Sequence, residues 1–205
     1  PDQLAECFSG LVGRVGELRK YAGGRIRLGV SPHAPYSVSG PLYRSTAEYA
    51  RAEGLPLAVH LAESPEETDF VTRGIGPFAD GWTSRGIPLL SHPSQQPTSR
   101  PAVQPSSPVQ WLETHRVLSP QTLCIHAIHL ASEDIRLLAE RGVSIAHCPL
   151  SNRRHRHGAA PLAELRRAGI RVGLGTDSVA SVGRLDMFAE MTEAQALGRL
   201  TGPEA

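Results

Sequence analysis

No apolar stretch of the sequence approaches the roughly 20 residues needed to span a bilayer, so no membrane helix is expected. No charge of one sign dominates either. Twenty-one Lys and Arg face 20 Asp and Glu, which leaves no global field to favour nucleic acid or a membrane surface. Cysteine is scarce: Cys7, Cys124 and Cys148 are an odd number with no C-x-x-C pair. Two of them sit in apolar, strand-like runs, where buried free thiols in a reducing compartment are expected. Pro1-Asp2-Gln3 is neither basic nor followed by an apolar run, so a signal peptide is not expected and a cytoplasmic location is. What is present, 205 residues of which 40% are hydrophobic, suffices to bury a core.

Five segments share one design, a short apolar run that ends in a residue able to bind metal or move protons. Ile26 to Val30 leads into Ser31-Pro32-His33-Ala34-Pro35-Tyr36, and Leu55 to Val59 into His60-Leu61-Ala62-Glu63. Thr122 to Ile125 leads into His126-Ala127-Ile128-His129, Val143 to Ala146 into His147-Cys148-Pro149, and Ile170 to Gly175 into Thr176-Asp177-Ser178. Between them, helical spacing predicts helices over 4–21, 41–53, 65–73, 77–85, 109–115, 132–141, 161–168 and 184–200. Residues 91–108 are a Pro- and Ser-rich stretch, expected to be a loop inserted in a single domain over 1–205. Alternating helices with nearly continuous apolar strands argue an α/β fold with parallel strands. His or Asp at successive strand ends is how a (β/α)8 TIM-type barrel gathers a site. With only five strong strands, the expectation is a partial barrel.

His60-Leu61-Ala62-Glu63 is the sharpest motif. An H-x-x-E is common by chance, but at the end of a parallel strand it offers a neutral imidazole for a metal and a carboxyl group for proton transfer. Asp177 competes with a simpler role, capping the next helix. That helix is expected only near Arg184, too far for a cap, so a ligand or a base is the better reading. His126 ends its strand directly and is preferred to His129, which is three residues on and points to the other face. His33, between two prolines, sits on a stiff turn suited to orienting a substrate, or merely to setting the turn. His147 is ambiguous, since it could satisfy a backbone group. His155-Arg156-His157 is the one H-x-H in the chain, but it follows Arg153-Arg154 rather than a strand. A solvated loop, or a clamp for an anionic group, is expected there. His92 and His115 are expected at the surface.

In this order the five segments resemble the amidohydrolase superfamily, in its branch of adenosine-type, S-adenosylhomocysteine, guanine and aminodeoxyfutalosine deaminases and triazine chlorohydrolases. The resemblance covers residues 25–195. It implies one divalent ion, zinc or alternatively iron, on His60, Asp177 and an H-x-H pair from the first barrel strand; no such pair precedes His60 in this sequence. His126 is implied to contact the hydrolytic water and is a candidate third ligand. Glu63 is implied to shuttle protons, and Asp177 to take the proton from water. His33 would orient the heterocycle, with Asn152 and Ser178 as further substrate contacts. By the same resemblance the chain is expected to hold about strands four to eight, without the first three strands and the accessory β-sandwich, as a truncated form would.

The function expected is metal-dependent hydrolysis of a carbon–nitrogen bond other than a peptide bond, as deamination of a purine-like heterocycle. The alternatives are a chlorohydrolase or an amidase on the same metal, or a catalytically incomplete fragment. The expected partner is a small heterocyclic molecule, with a homo-oligomer left open. One basic loop at Arg153 to His157 is too small a footprint for nucleic acid.

Overall fold

The structure, a computed structural model, describes residues 2–89 and 105–200. Of the expected loop at 91–108, residues 91–104, with His92, lie outside the described residues, and Ser107 and Pro108 already start a helix. Helix α1 (Asp2–Leu18) is followed by α2 (Gly40–Ala52), β1 (Leu57–Leu61), α3 (Pro65–Arg73), α4 (Pro77–Ser84) and α5 (Pro108–Thr114). Then come β2 (Thr122–His126), α6 (Ser132–Glu140), β3 (Ser144–His147), α7 (Pro149–His155), α8 (Leu162–Arg167), β4 (Arg171–Leu174), α9 (Val179–Val182) and α10 (Met187–Leu200). Proline stands in the first turn of α2, α3, α4, α5 and α7. Its missing N–H costs nothing there and its fixed φ suits the helix, so these prolines start helices rather than break them.

The four strands form one parallel sheet in the order β1-β2-β3-β4. Leu61 lies opposite His126, and His147 opposite Leu174, so all the carboxyl ends come out along one edge. On one sheet face Leu57, Val59, Leu61, Cys124 and Ile145 are buried in a core with Tyr43, Val71, Leu112, Leu138 and Leu165. Burying a single side chain of that size contributes about 1.5–3 kcal/mol. The other face, with Ala58, Leu123, Ile125 and Ala146, is only partly covered.

The expected fifth strand over 25–30 is not formed. Ile26 makes only a local antiparallel bridge with Gly23, and Val30 a single parallel bridge with Leu57. Val30 N–H donates to Pro56 O at 3.0 Å and Val30 O accepts from Ala58 N at 2.9 Å. The next rungs would need N–H groups from Pro56 and Pro32, and proline has none. The ladder is cut on both sides. His60 N–H then reaches past Pro32 to His33 O at 2.9 Å, which ties the SPHAPY turn to the end of β1.

Two helices went unread in the sequence. Helix α7 begins at Pro149 immediately after β3, so Arg153 to His155 are helical rather than a loop. Helix α9 starts only two residues after Asp177, with Ser178 as its cap, and Gly183 at φ 83° separates it from α10. The expectation that no helix follows Asp177 closely is therefore corrected. His115 is also not a surface residue. It packs on Trp111, with ring centres 4.4 Å apart, and fills the space a Cβ at Gly40 would need. No helix among the described residues is long and apolar enough to cross a membrane.

Candidate metal centre

Three strand ends converge. His60, His126 and Asp177 each offer a ligand atom, and these atoms all lie within 4.8 Å of one another. The chain reaches this arrangement through backbone in the left-handed region at Ala62 (φ 52°), His126 (φ 73°), Ala127 (φ 53°) and Asp177 (φ 59°). For residues other than glycine such conformations cost on the order of 1–3 kcal/mol each. Hydrogen bonds across the strand ends offset part of this cost: Ala127 N–H donates to Leu61 O at 3.0 Å, and Ile128 and His129 N–H both donate to Ala62 O, at 3.0 and 2.9 Å.

Second partners fix the direction of each ligand. His60 Nδ1 lies 3.0 Å from His33 O. A carbonyl only accepts, so Nδ1 is the donor here and Nε2 is the nitrogen available to a metal. His126 is fully buried, with Nδ1 2.9 Å from Asn152 Oδ1 and Nε2 without a hydrogen-bond partner among the described residues. Asp177 Oδ2 accepts from Ser151 Oγ at 2.6 Å, and its Oδ1 from Ser178 N–H at 2.6 Å. Burial alone would raise the Asp177 pKa, but hydrogen bonds from Ser151, Ser178 and Ser181 and the nearby His126 outweigh it and hold the carboxylate below its ordinary range. Burial lowers His126, against the pull of Glu63, so its imidazole stays neutral. A buried neutral imidazole with one ring nitrogen left over, beside an ionised carboxylate and a second imidazole, is a donor set that suits a divalent cation. The residues fit such an ion.

Glu63 lies beside this cluster. Its Oε1 is 3.5 Å from His126 Nε2 and 3.3 Å from His157 Nδ1, and its Oε2 accepts from Tyr36 Oη at 3.4 Å. Tyr36 in turn stacks on Phe78 at 4.0 Å and takes the Trp82 Nε1–H on its carbonyl at 2.7 Å. A cavity of about 830 Å³, lined among others by Cys7, Ser37, Phe78, Trp82 and Arg85, meets the centre through Tyr36 and Ser37. His33 lies at the exposed side, with Nδ1 2.7 Å from Ser37 Oγ and its ring 4.7 Å from that of His60. Burial, and then the proximity of His60, lower its pKa.

Of the expected site residues, the structure brings together His33, His60, Glu63, His126 and Asp177. Ser178 is exposed and spends its hydroxyl on Ser181 N–H at 3.1 Å, as the cap of α9. Asn152 is 1% exposed and faces two imidazoles rather than the cavity. His129 stays outside the cluster, as expected, and His147 meets Asn152 rather than a backbone group. Two roles went unread, one of them that of His157, which was expected in a solvated loop or an anion clamp. His157 follows the turn that ends α7 and returns to Glu63; nothing in R-R-H-R-H signals that return. Glu67 is fully buried under the turn, accepting from Ala62 N–H at 3.0 Å and Glu63 N–H at 2.9 Å. It thereby holds the turn that aims Glu63. Its position in the first turn of α3 after Ser64-Pro65 resembles an ordinary capping glutamate, which hides the role.

The sequence profile of the amidohydrolase family matches residues 6–201. The chain is 34% identical over 197 residues to the aminodeoxyfutalosine deaminase of Deinococcus radiodurans, covering 96% of this chain and 46% of that protein. It is 33% identical over 171 residues to a 5-methylthioadenosine/S-adenosylhomocysteine deaminase of Desulfitobacterium hafniense, covering 83% of this chain and 33% of that one. Among solved structures, an adenosine deaminase from Xanthomonas campestris with bound zinc aligns at a TM-score of 0.71 and 28% identity, covering 92% of this chain and 37% of that one. The chain thus spans less than half the length of these relatives.

Proposed function

This chain belongs to the amidohydrolase family, and from that premise we propose that it carries most of the active site of a metal-dependent deaminase acting on a purine-like heterocycle. In this reading its four strands and the Val30 bridge correspond to about strands four to eight of a (β/α)8 barrel. The partly covered sheet face, which would look into the barrel, supports that. The observation that carries the functional reading is the convergence of His60, His126 and Asp177 within 4.8 Å beside Glu63.

His60 and Asp177 would hold a divalent ion, zinc in the first instance, with His126 as a third ligand or as the group that meets the attacking water. When bound, the ion supplies Lewis acidity, which makes a water nucleophilic near neutral pH. The protein's own groups do the rest. Asp177, kept ionised by Ser151 and Ser178, accepts the proton that the water gives up. Glu63 carries protons to the ring nitrogen and to the departing amine, steadied by Tyr36 and flanked by His157. His33 orients the heterocycle from the rim. The 830 Å³ cavity beyond Tyr36 lies in the size range of small-molecule sites and would take the part of the substrate that extends past its ring.

The named relatives are deaminases, which favours loss of ammonia over dechlorination or amide hydrolysis. The test is a screen for ammonia release over purine bases and nucleosides, using the longest natural form that contains this chain. Release from an aminopurine supports the reading. Release of chloride from chlorinated triazines, or hydrolysis of amides with no deamination, would replace it.

A further inference from the structure

Helix α7 is seven residues long, yet two neighbouring side chains on it hold the site. Ser151 grips Asp177, and Asn152 stands between His126 and His147, the last residues of β2 and β3. Asn152 Oδ1 is 2.9 Å from His126 Nδ1, while Asn152 Nδ2 is 3.5 Å from His147 Nδ1. None of the three residues is more than 1% exposed. An amide is polarised, so its oxygen only accepts and its nitrogen only donates. Placed between two imidazole Nδ1 atoms, it calls for a proton on one of them and a lone pair on the other.

We propose that Asn152 is a positioning residue that sets the tautomers of two strand-end histidines in opposite senses. His126 is held with its proton on Nδ1, and its Nε2 lone pair is directed to the Glu63 and Asp177 side. His147 is held with its proton on Nε2. A free imidazole exchanges between the two forms, and only one of them makes His126 a ligand or an acceptor from water. The 2.9 Å arm to His126 dominates, and the 3.5 Å arm to His147 is the weaker. The backbone that carries the amide is held in place: the main-chain O of Asn152 accepts from His157 N–H at 2.9 Å, and two residues earlier Glu190 of α10 accepts from Leu150 N–H on its Oε2 at 3.0 Å. With both amide ends engaged and the side chain buried, no group of Asn152 is left for a substrate, so the expected substrate contact gives way to a positioning role.

The tautomer pattern stands on geometry alone, whereas its consequence for metal and turnover rests on the proposed deaminase. The experiment uses the longest natural form with 15N-labelled histidine. Long-range 1H–15N correlations report each ring's tautomer, assigned through His126→Gln and His147→Gln. Zinc affinity is measured by competition with a chelating indicator, and kcat and KM by ammonia release. In the native protein His126 should appear as the Nδ1–H form and His147 as the Nε2–H form. Asn152→Asp keeps an acceptor for His126 but removes the donor to His147. It should switch His147 alone, with zinc affinity and KM nearly unchanged. Asn152→Leu removes both arms, and should release the His126 tautomer and weaken zinc by roughly 10–100-fold, the usual cost of losing an outer partner of a ligand. The proposal is overturned if native His126 carries its proton on Nε2. It is equally overturned if Asn152→Leu leaves the His126 signal and zinc affinity intact, or if Asn152→Asp leaves the His147 tautomer as in the native protein. The expected tautomers without any ammonia release would sink the deaminase reading and leave the role of Asn152 standing.

Discussion

Replacing Glu67 by Gln should make stability less sensitive to pH between about 5 and 8. Burial pushes this carboxyl group from its ordinary 4.5 up to about 8, against the pull of the Glu63 and Ala62 N–H groups. The folded protein therefore holds the Glu67 proton more tightly than the unfolded chain does. That contribution to stability is fully present below pH 4.5 and is lost as pH rises through 8. At about 1.36 kcal/mol for each pH unit between those values, the loss would reach on the order of 5 kcal/mol. Gln stays neutral throughout. Its oxygen can serve only one of the two N–H groups, leaving the other unsatisfied at a cost of about 1–3 kcal/mol at every pH. The variant should thus be the less stable protein at pH 5 and draw level with, or pass, the native protein by pH 8. His33, His126 and His147 have lowered pKa values. Their contribution is lost in the opposite direction, as pH falls through 6.5, but both proteins share it and the difference cancels it. Urea unfolding of metal-free protein at pH 5, 6, 7 and 8 measures that difference. A gap that stays constant over the whole range would refute the reasoning.

Glu63→Gln should keep bound metal yet lose roughly 10²- to 10⁴-fold in turnover, the usual weight of a positioned proton carrier; near-normal kcat would remove Glu63 from the mechanism. His157→Ala, which empties the position 3.3 Å from Glu63, should lower kcat by about tenfold, or about 1.4 kcal/mol. His155→Ala, at an exposed position, should change little, and equal effects of the two would count against the Glu63 contact. Gly40→Ala would place a Cβ 2.2 Å from the His115 ring and should cost about 1–3 kcal/mol. Adding His115→Ala should remove most of that cost, which an unfolding double-mutant cycle reads directly.

The parallel α/β architecture was legible because strand ends and helix starts carry local signals: apolar runs closing on His or Asp, and prolines opening helices. Two other prolines made the fifth strand misleading. Its apolar run is genuine, but a ladder depends on which N–H groups a neighbour can offer, and Pro32 and Pro56 stand at the two rungs that matter. His60, His126 and Asp177 could be read because each ends its run directly. The role of Glu67, and the place of Asn152 between two histidines, could not, since a carboxylate in a helix's first turn and an amide inside one look the same whether they cap, face solvent or hold a ligand. His157 was hidden for a different reason. Its return to Glu63 depends on α7 ending in a left-handed Arg156 at φ 60°, which the basic run around it does not announce. The short helix α9 was missed for want of length, and with it the hydroxyl cap that occupies Ser178.

The central claim, that His60, His126 and Asp177 form a catalytic metal centre, is tested most directly by metal content and turnover measured together. The longest natural form of the protein would be purified, stripped with chelator and titrated with zinc, alongside His60→Ala and Asp177→Asn, while ammonia release is followed. One zinc per chain restoring deamination in the native protein, with tight zinc and turnover both lost in the two variants, is the predicted result. Tight zinc retained by both variants, or deamination that persists in the stripped protein, would contradict it.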